Sequence, residues 1–409
     1  MNSITKKIRD FNAGALPDMV QIKYSLMTEN MFRFYRGTCH IFYEDLSKVD
    51  TIPPSPLAWI CGDLHLENFG SFKADNRLVH FDLNDFDEAV MAPASWELVR
   101  IITSIFIAFS SLKIEKKKAY KMACLFLKTY SETLAKGKAY YIESKTAKGI
   151  VRSFLISASK RKKKHLLKKR TLKDKNKNTL AIMMDNPRHF EIEKNYKREL
   201  AHHITDWILN NSDGPYNYEV LDVAFRLAGT GSVGLKRYAF LLQSVREDSK
   251  YLLIDMKQAR PSSLLPYVNV QQPKWETEAD RVVAIQQRMQ NIAPALLSSS
   301  TFQGESFLIQ EMQPVKDSID FKLIRDQYRD MYQVIDDMAM LTASAQLRSS
   351  GRQGAATADE LIAFGLNNQW QEELLNYAIA YTAQVKTDYK AFVADYKKGI
   401  LSTDTKTTA

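Results

Sequence analysis

Gly62-Asp63-Leu64-His65-Leu66-Glu67-Asn68 and Asp82-Leu83-Asn84-Asp85-Phe86-Asp87-Glu88-Ala89 each follow a short apolar run, residues 57–61 and 78–81. Short apolar runs bounded by turn-forming residues read as strands, so two strands end in acid-rich loops close together in the chain. Asp, Asn and Gly also populate ordinary turns. Two such loops in tandem, each behind an apolar strand, point instead to a site. Phosphoryl transfer needs a carboxylate at the acceptor hydroxyl, metal ions bridging the phosphates, and cationic or backbone donors for the charge. Asp63 followed five positions later by Asn68 supplies the first spacing, and Asp82, Asp85 and Asp87 supply metal-binding carboxylates. Oxygen donors of this kind suit magnesium or manganese rather than zinc. His65 reads either as a substrate contact or as a brace for its own loop.

Outward from this centre the pattern turns helical. Residues 96–112 and 116–136 place apolar side chains at three- and four-residue intervals. The most apolar run, 101–112, is too short to span a bilayer and belongs in a buried helix. A helix is expected at 194–210, and Asn211-Ser212-Asp213-Gly214-Pro215 breaks the chain. Strands are expected at 220–227, 235–242, 251–257 and 306–312, with a helix at 276–290. The tail returns to helix at 321–347 and 368–397. The expectation is an α+β, two-lobed protein. Its larger lobe takes residues 1–214, with the catalytic and metal loops, and the C-terminal helices of 316–409. Residues 215–315 form a smaller, β-rich, nucleotide-binding lobe.

Gly229-Thr230-Gly231-Ser232-Val233-Gly234 lies between two of these strands. A GxGxxG is a weak signal alone, but one between strands fits a phosphate-covering flap better than a turn that opens a helix. Gly229, Gly231, Ser232 and Gly234 are therefore candidate nucleotide contacts, as is Lys257 at the end of the next strand. The alternative is a plain hairpin followed by an exposed lysine. Residues 276–290 offer Glu276, Glu278 or Asp280 as the lysine's acidic partner, unless Lys257 pairs elsewhere. Arg237 and Arg281 are further candidates for phosphate contacts.

The two acid-rich loops resemble the "HGDxHxxN … IDW" pattern of aminoglycoside-phosphotransferase-like kinases. That resemblance implies a catalytic role for Asp63 and metal ligation by Asn68. Asp82 fits the metal position by its distance from Asn68, and Asp85 by the downstream register with Glu97-Leu98. More closely, GDLHLENFG, FDLNDFDEA and the upstream FRFYRGT resemble the bacterial domain of unknown function 2252 family, along nearly the whole chain. What this implies is a kinase-like fold; taken with the acid-rich loops, ATP with Mg2+ (or Mn2+) is expected in the cleft. Because the glycine loop follows the catalytic loop, the protein-kinase-like fold would be circularly permuted. The family resemblance also implies a histidine within 341–351. This chain has none there, and Gln346 stands in its place.

The expected reaction is transfer of the γ-phosphoryl group to a hydroxyl of an unknown small-molecule or protein acceptor. A pseudokinase-like nucleotide-binding or scaffold module, or adenylyl transfer on the same fold, are the alternatives. A two-metal phosphoesterase also uses GDxH, but seven histidines and no Gly-Asn-His leave that class without its ligands. Composition adds little to this. Cys39, Cys61 and Cys124 show no metal or disulfide spacing, and the first residues lack a secretory apolar core, so a cytoplasmic setting is expected. Residues 160–177 carry eleven Lys/Arg against one Asp, which accounts for the net charge of +10. That run reads as solvated surface or as the contact for an anionic partner.

Overall fold

The computed structural model describes residues 1–173, 179–184, 189–211, 214–227, 234–314 and 317–401. Four N-terminal helices, α1 (Ser3–Phe11), α2 (Pro17–Thr28), α3 (Met31–Gly37) and α4 (Cys39–Leu46), precede the first strand. Asn2 and Asn30 cap α1 and α3 by accepting from Thr5 N and Arg33 N, which satisfies amides the first turn leaves without partners.

Four short strands then set the geometry of the acid-rich loops: β1 (Leu57–Ile60), β2 (Phe69–Lys73), β3 (Val79–Leu83) and β4 (Val90–Pro93). β2 and β3 form an antiparallel hairpin with Phe69 opposite Leu83, and β1 pairs with β4 with Ile60 opposite Val90. Both loops, 61–68 and 84–89, are thus pinned at each end by antiparallel pairs and lie side by side. Asn84 N donates to Asn68 O at 3.0 Å, tying one loop to the other. Gly62 opens the first loop at φ +80°, and a Cβ there would fall 2.3 Å from the Glu88 carbonyl oxygen. Only glycine accepts both the angle and the approach.

α5 (Ala94–Ser111) follows β4 directly, and α6 (Lys116–Ala135) packs along it. α5 begins earlier than the apolar run alone indicated. It is long and apolar enough to cross a membrane by length and composition, yet 78% of that window is buried inside the fold. Its surroundings are protein: α6, the C-terminal helix Gln371–Lys397 and β1. The helix Tyr328–Ser349 lies against α6 and buries Met331, Ile335, Met338 and Leu341. Each such side chain removed from water contributes roughly 1.5–3 kcal/mol. One continuous core therefore joins α1–α6 to the C-terminal helices.

A six-stranded sheet makes the second body, in the order Ser298–Phe302, Glu305–Glu311, Tyr251–Gln258, Arg237–Ser244, Tyr218–Arg226, His189–Phe190. Alternation along the strands sends Phe240, Leu242, Ile254 and Met256 to one face, against Leu200, Ile204 and Trp207 of the helix Lys194–Asn210. The other face buries Ala239, Leu241 and Leu253 with Ile182 from the hairpin Thr171–Lys173/Leu180–Ile182. The sheet's core thus begins upstream of residue 215. The helix Lys194–Asn210 shares that core, not the larger one. The helix Glu278–Met289 crosses back and inserts Val282, Ile285 and Met289 into the larger core, so the two bodies are stitched together beside the loops. The molecule is α+β, with 50% helix and 18% strand.

The basic run is partly ordered by acids of the fold. Arg161 pairs with Asp317 at 2.7 Å, Lys163 pairs with Glu311, and Arg170 is buried. Its residues 174–177 lie outside the described residues.

Candidate functional site

A cavity of about 280 Å³ opens where the two loops meet the sheet, and Asp63, Asp85, Asp87, Gly234 and Gln258 all contribute to its wall. Asp63 stands at the head of the first loop with its side chain 20% exposed. Arg100 of α5 donates to Asp63 Oδ1 from Nε (3.1 Å) and from Nη2 (2.6 Å). Oδ2 has no hydrogen-bond partner among the described residues. Burial raises the Asp63 carboxyl above its ordinary range, with the Arg100 guanidinium pulling the other way. Arg100 itself is fully buried, its guanidinium 3.6 Å from the Tyr35 ring centre and 4.9 Å from that of Phe42.

Asn68 is buried and donates from Nδ2 to the Asp63 carbonyl at 2.5 Å, closing the loop on itself. His65 is also buried. Its Nδ1 accepts from Glu67 N at 3.2 Å and its ring meets Phe32 edge-on at 5.7 Å. It does not line the cavity, so of its two readings the fold gives it the bracing arrangement, and burial holds the imidazole neutral. Asp82 and Asp85 part company in the same way. Asp82 is buried behind the loop, accepts from Leu83 N at 2.9 Å and lies 3.6 Å from Arg348, with burial raising its carboxyl to about 6. Asp85 faces the cavity.

Lys257 reaches across from the strand Tyr251–Gln258 and forms an ion pair with Asp87. Burial would push the Asp87 carboxyl up, but the Lys257 ammonium outweighs it and holds the carboxyl below its usual value. The acids of the helix Glu278–Met289 and its cap are engaged elsewhere: Glu278 accepts from Arg281 Nε at 2.6 Å, and Asp280 from Thr277 Oγ1 at 2.7 Å. Arg281 acts on backbone, donating to the carbonyls of Asp87 (2.9 Å), Ala89 and Arg260 (3.0 Å). Arg237, with Arg226, is committed to Asp255, whose carboxyl they hold well below the usual range against the opposing push of burial. Gly234 borders the cavity at φ +107° and its carbonyl accepts from Leu16 N at 3.3 Å. Gly229, Gly231 and Ser232 lie outside the described residues.

Sequence reasoning overlooked the residues that hold the first loop from behind. Glu97 and Arg100 sit three apart on α5, so they share a face. Glu97 accepts from Cys61 N at 2.5 Å and from Gln346 Nε2 at 3.1 Å, and Tyr130 donates to the Gln346 amide oxygen. A glutamate and an arginine facing inward from an otherwise apolar helix were the available signal. Burial pushes the Glu97 carboxyl up to about 7, against its hydrogen bonds, from an ordinary value of 4.5. The protonated form is thus the one the fold favours. Its contribution is complete below about pH 4.5 and is lost as pH rises through about 7. Urea denaturation should show roughly 3 kcal/mol of stability lost from this group between those limits, and Glu97→Gln should remove that slope. A variant with the wild-type slope would assign the pH dependence to other groups.

Among the curated proteins and among the solved structures, none matches this chain. The family model described as an uncharacterized protein conserved in bacteria (DUF2252) matches residues 15–395, and the chain belongs to that family.

Proposed function

We propose that this protein is an ATP- and Mg2+-dependent phosphotransferase with a kinase-like, circularly permuted fold, moving a γ-phosphoryl group to an acceptor hydroxyl. One observation carries the reading. Asp63, Asp85 and Asp87 line one cavity beside Gly234, and Lys257, 170 residues beyond Asp87, is tied to it by its ion pair with Asp87. The small lobe of a kinase has a glycine-rich turn between two strands, a lysine on the third, and a helix leading to the next. Strands Tyr218–Arg226, Arg237–Ser244 and Tyr251–Gln258, followed by the helix Glu278–Met289, run in that order.

Among the described residues no three His, Cys, Asp or Glu side chains converge as a closed metal cage. Magnesium in nucleotide sites takes one or two carboxylates and completes its shell with phosphates and water, so Asp85, which lines the cavity, fits as a carboxylate donor, with Asn68 of the adjoining loop the second ligand in this reading. When bound, the ion would neutralise charge on the transferred phosphate. Lys257, released from or shared with Asp87, and the backbone at Gly234 hold phosphates. Asp63, oriented through Oδ1 by Arg100, presents Oδ2 to the acceptor hydroxyl and takes its proton.

The binding test is isothermal titration with a nonhydrolysable ATP analogue, with and without magnesium, on wild type and Asp85→Ala. Magnesium-dependent binding that weakens at least tenfold in the variant is expected. No binding under any condition would remove ATP chemistry. A second reading, a nucleotide-binding module without turnover, is favoured by the absence of an acid on the helix Glu278–Met289 paired to Lys257. Product mass decides between phosphoryl and adenylyl transfer.

A further inference from the structure

Part of the cavity's wall is built by the N-terminal helices. α1 and α2 are joined by a turn that reaches the sheet: Leu16 N donates to Gly234 O at 3.3 Å, and Arg260 Nη2 donates to Gly14 O at 3.2 Å. Phe11, Asn12 and Ala15 therefore roof the cavity. The space beneath this roof suits a compact molecule, displacing on the order of ten waters.

Two groups in this wall lack the partners that burial demands. Lys23 of α2 is 4% exposed. Among the described residues its ammonium makes one hydrogen bond, to Asn12 Oδ1 at 2.9 Å, and has no carboxylate at ion-pair distance; the Phe11 ring centre lies 5.7 Å away. The acids whose charge it feels, Glu88 and Asp63, are engaged by Ser262 and Ser263 and by Arg100. A buried charge is ordinarily paired. His40 of α4, 6% exposed, stacks on Phe11 with ring centres 3.7 Å apart, and neither ring nitrogen has a hydrogen-bond partner among the described residues. Burial lowers the Lys23 ammonium to about 8, so it is charged at neutral pH. Burial likewise lowers the His40 imidazole to about 3, so it is neutral and offers one donor and one acceptor.

We propose that the part of the cavity lined by Lys23 and His40 is the acceptor site, and that the acceptor is a small hydroxylated molecule whose anionic group, a carboxylate or phosphate, is bound by Lys23. The word acceptor rests on the phosphotransferase reading; the anion site does not. With the anion on Lys23, His40 and Asp63 are the groups of the same cavity wall left to meet the hydroxyls.

The experiment takes the full chain, wild type and Lys23→Met, and measures the melting temperature alone and with millimolar inorganic phosphate, glycerate or 3-phosphoglycerate. The nonhydrolysable ATP analogue with magnesium serves as a parallel titrant. Without additive, Lys23→Met should melt at or above wild type, because an apolar side chain replaces a charge kept for a ligand. At least one anion should raise the wild-type melting temperature and leave the variant unmoved, while nucleotide affinity is unchanged. A variant melting several degrees lower makes Lys23 a structural residue and overturns the proposal. So does the failure of every anion on wild type, or a loss of nucleotide affinity in the variant, which would assign Lys23 to the nucleotide. If the nucleotide fails to bind wild type while the Lys23-dependent anion effect persists, the phosphotransferase reading falls and the anion site stands.

Discussion

Asp63→Asn is expected to lower phosphate transfer by about 10²–10⁴-fold, the range that a positioned proton acceptor supplies, with nucleotide affinity unchanged. The asymmetry of the carboxylate makes this a clean test. Both Arg100 bonds end on Oδ1, and an asparagine can keep its oxygen there. The amide nitrogen then replaces Oδ2, the atom proposed to take the acceptor's proton, and an amide takes up no proton. Steady-state turnover and a parallel titration with the nonhydrolysable analogue check it. Undiminished turnover would remove Asp63 from the chemistry. A joint loss of turnover and nucleotide affinity would make it a folding or metal-site residue instead.

Arg100→Met should cost about 3–5 kcal/mol of stability, the usual penalty for removing one partner of a buried ion pair. The guanidinium is fully buried, bridges Asp63 to the Tyr35 carbonyl at 3.0 Å, and lies over two aromatic rings. Methionine refills part of the volume but leaves the Asp63 carboxylate without a counter-charge. Adding Asp63→Asn to Arg100→Met should return part of the loss, since the stranded charge is then gone. Equilibrium urea denaturation measures both. A single-variant cost below about 1 kcal/mol would mean that water already solvates Asp63 as an exposed pair does.

Much of the architecture was legible because periodicity is local. The helix at 194–210 was read to the residue, and the strand at 251–257 is Tyr251–Gln258. The tail expected at 321–347 is Phe321–Ile324 followed by Tyr328–Ser349, because the chain breaks at 325–327. The helix Ala358–Leu366 was overlooked, although Thr357 and Glu360 form a capping box, a signature readable from spacing alone. β2 and β4 were overlooked for a different reason. Each is only four or five residues long and is defined by its partner across the hairpin or across the loops. At the site, residue types and spacing singled out Asp63, Asn68, Asp85 and Lys257, of which Asp63 and Asp85 line the cavity. Type and spacing could not separate Asp82 from Asp85, because Asp82 is buried on β3 while Asp85 lies in the loop beyond it and lines the cavity. Nor could they find Arg100, Lys23 or His40, whose relation to Asp63 exists only after three helices pack around the loops. Gln346 was noted as the occupant of a histidine's place. Its part as the uncharged link between Tyr130 and Glu97 needed the fold.

The continuous core that joins the N-terminal helices to the C-terminal one bears on how the chain matures as it is made. α5 leaves the ribosome early, but Leu374, Ala378, Val385 and Phe392, on the helix that covers it, come near the end. At about 5–20 residues per second, roughly tens of seconds separate the two. Throughout that interval the apolar flank of α5 waits without its cover, while the strands between residues 189 and 311 already have one another. The sheet is therefore the part that can settle first, and the pocket around Asp63, although encoded near the start, is among the last features of the molecule to exist.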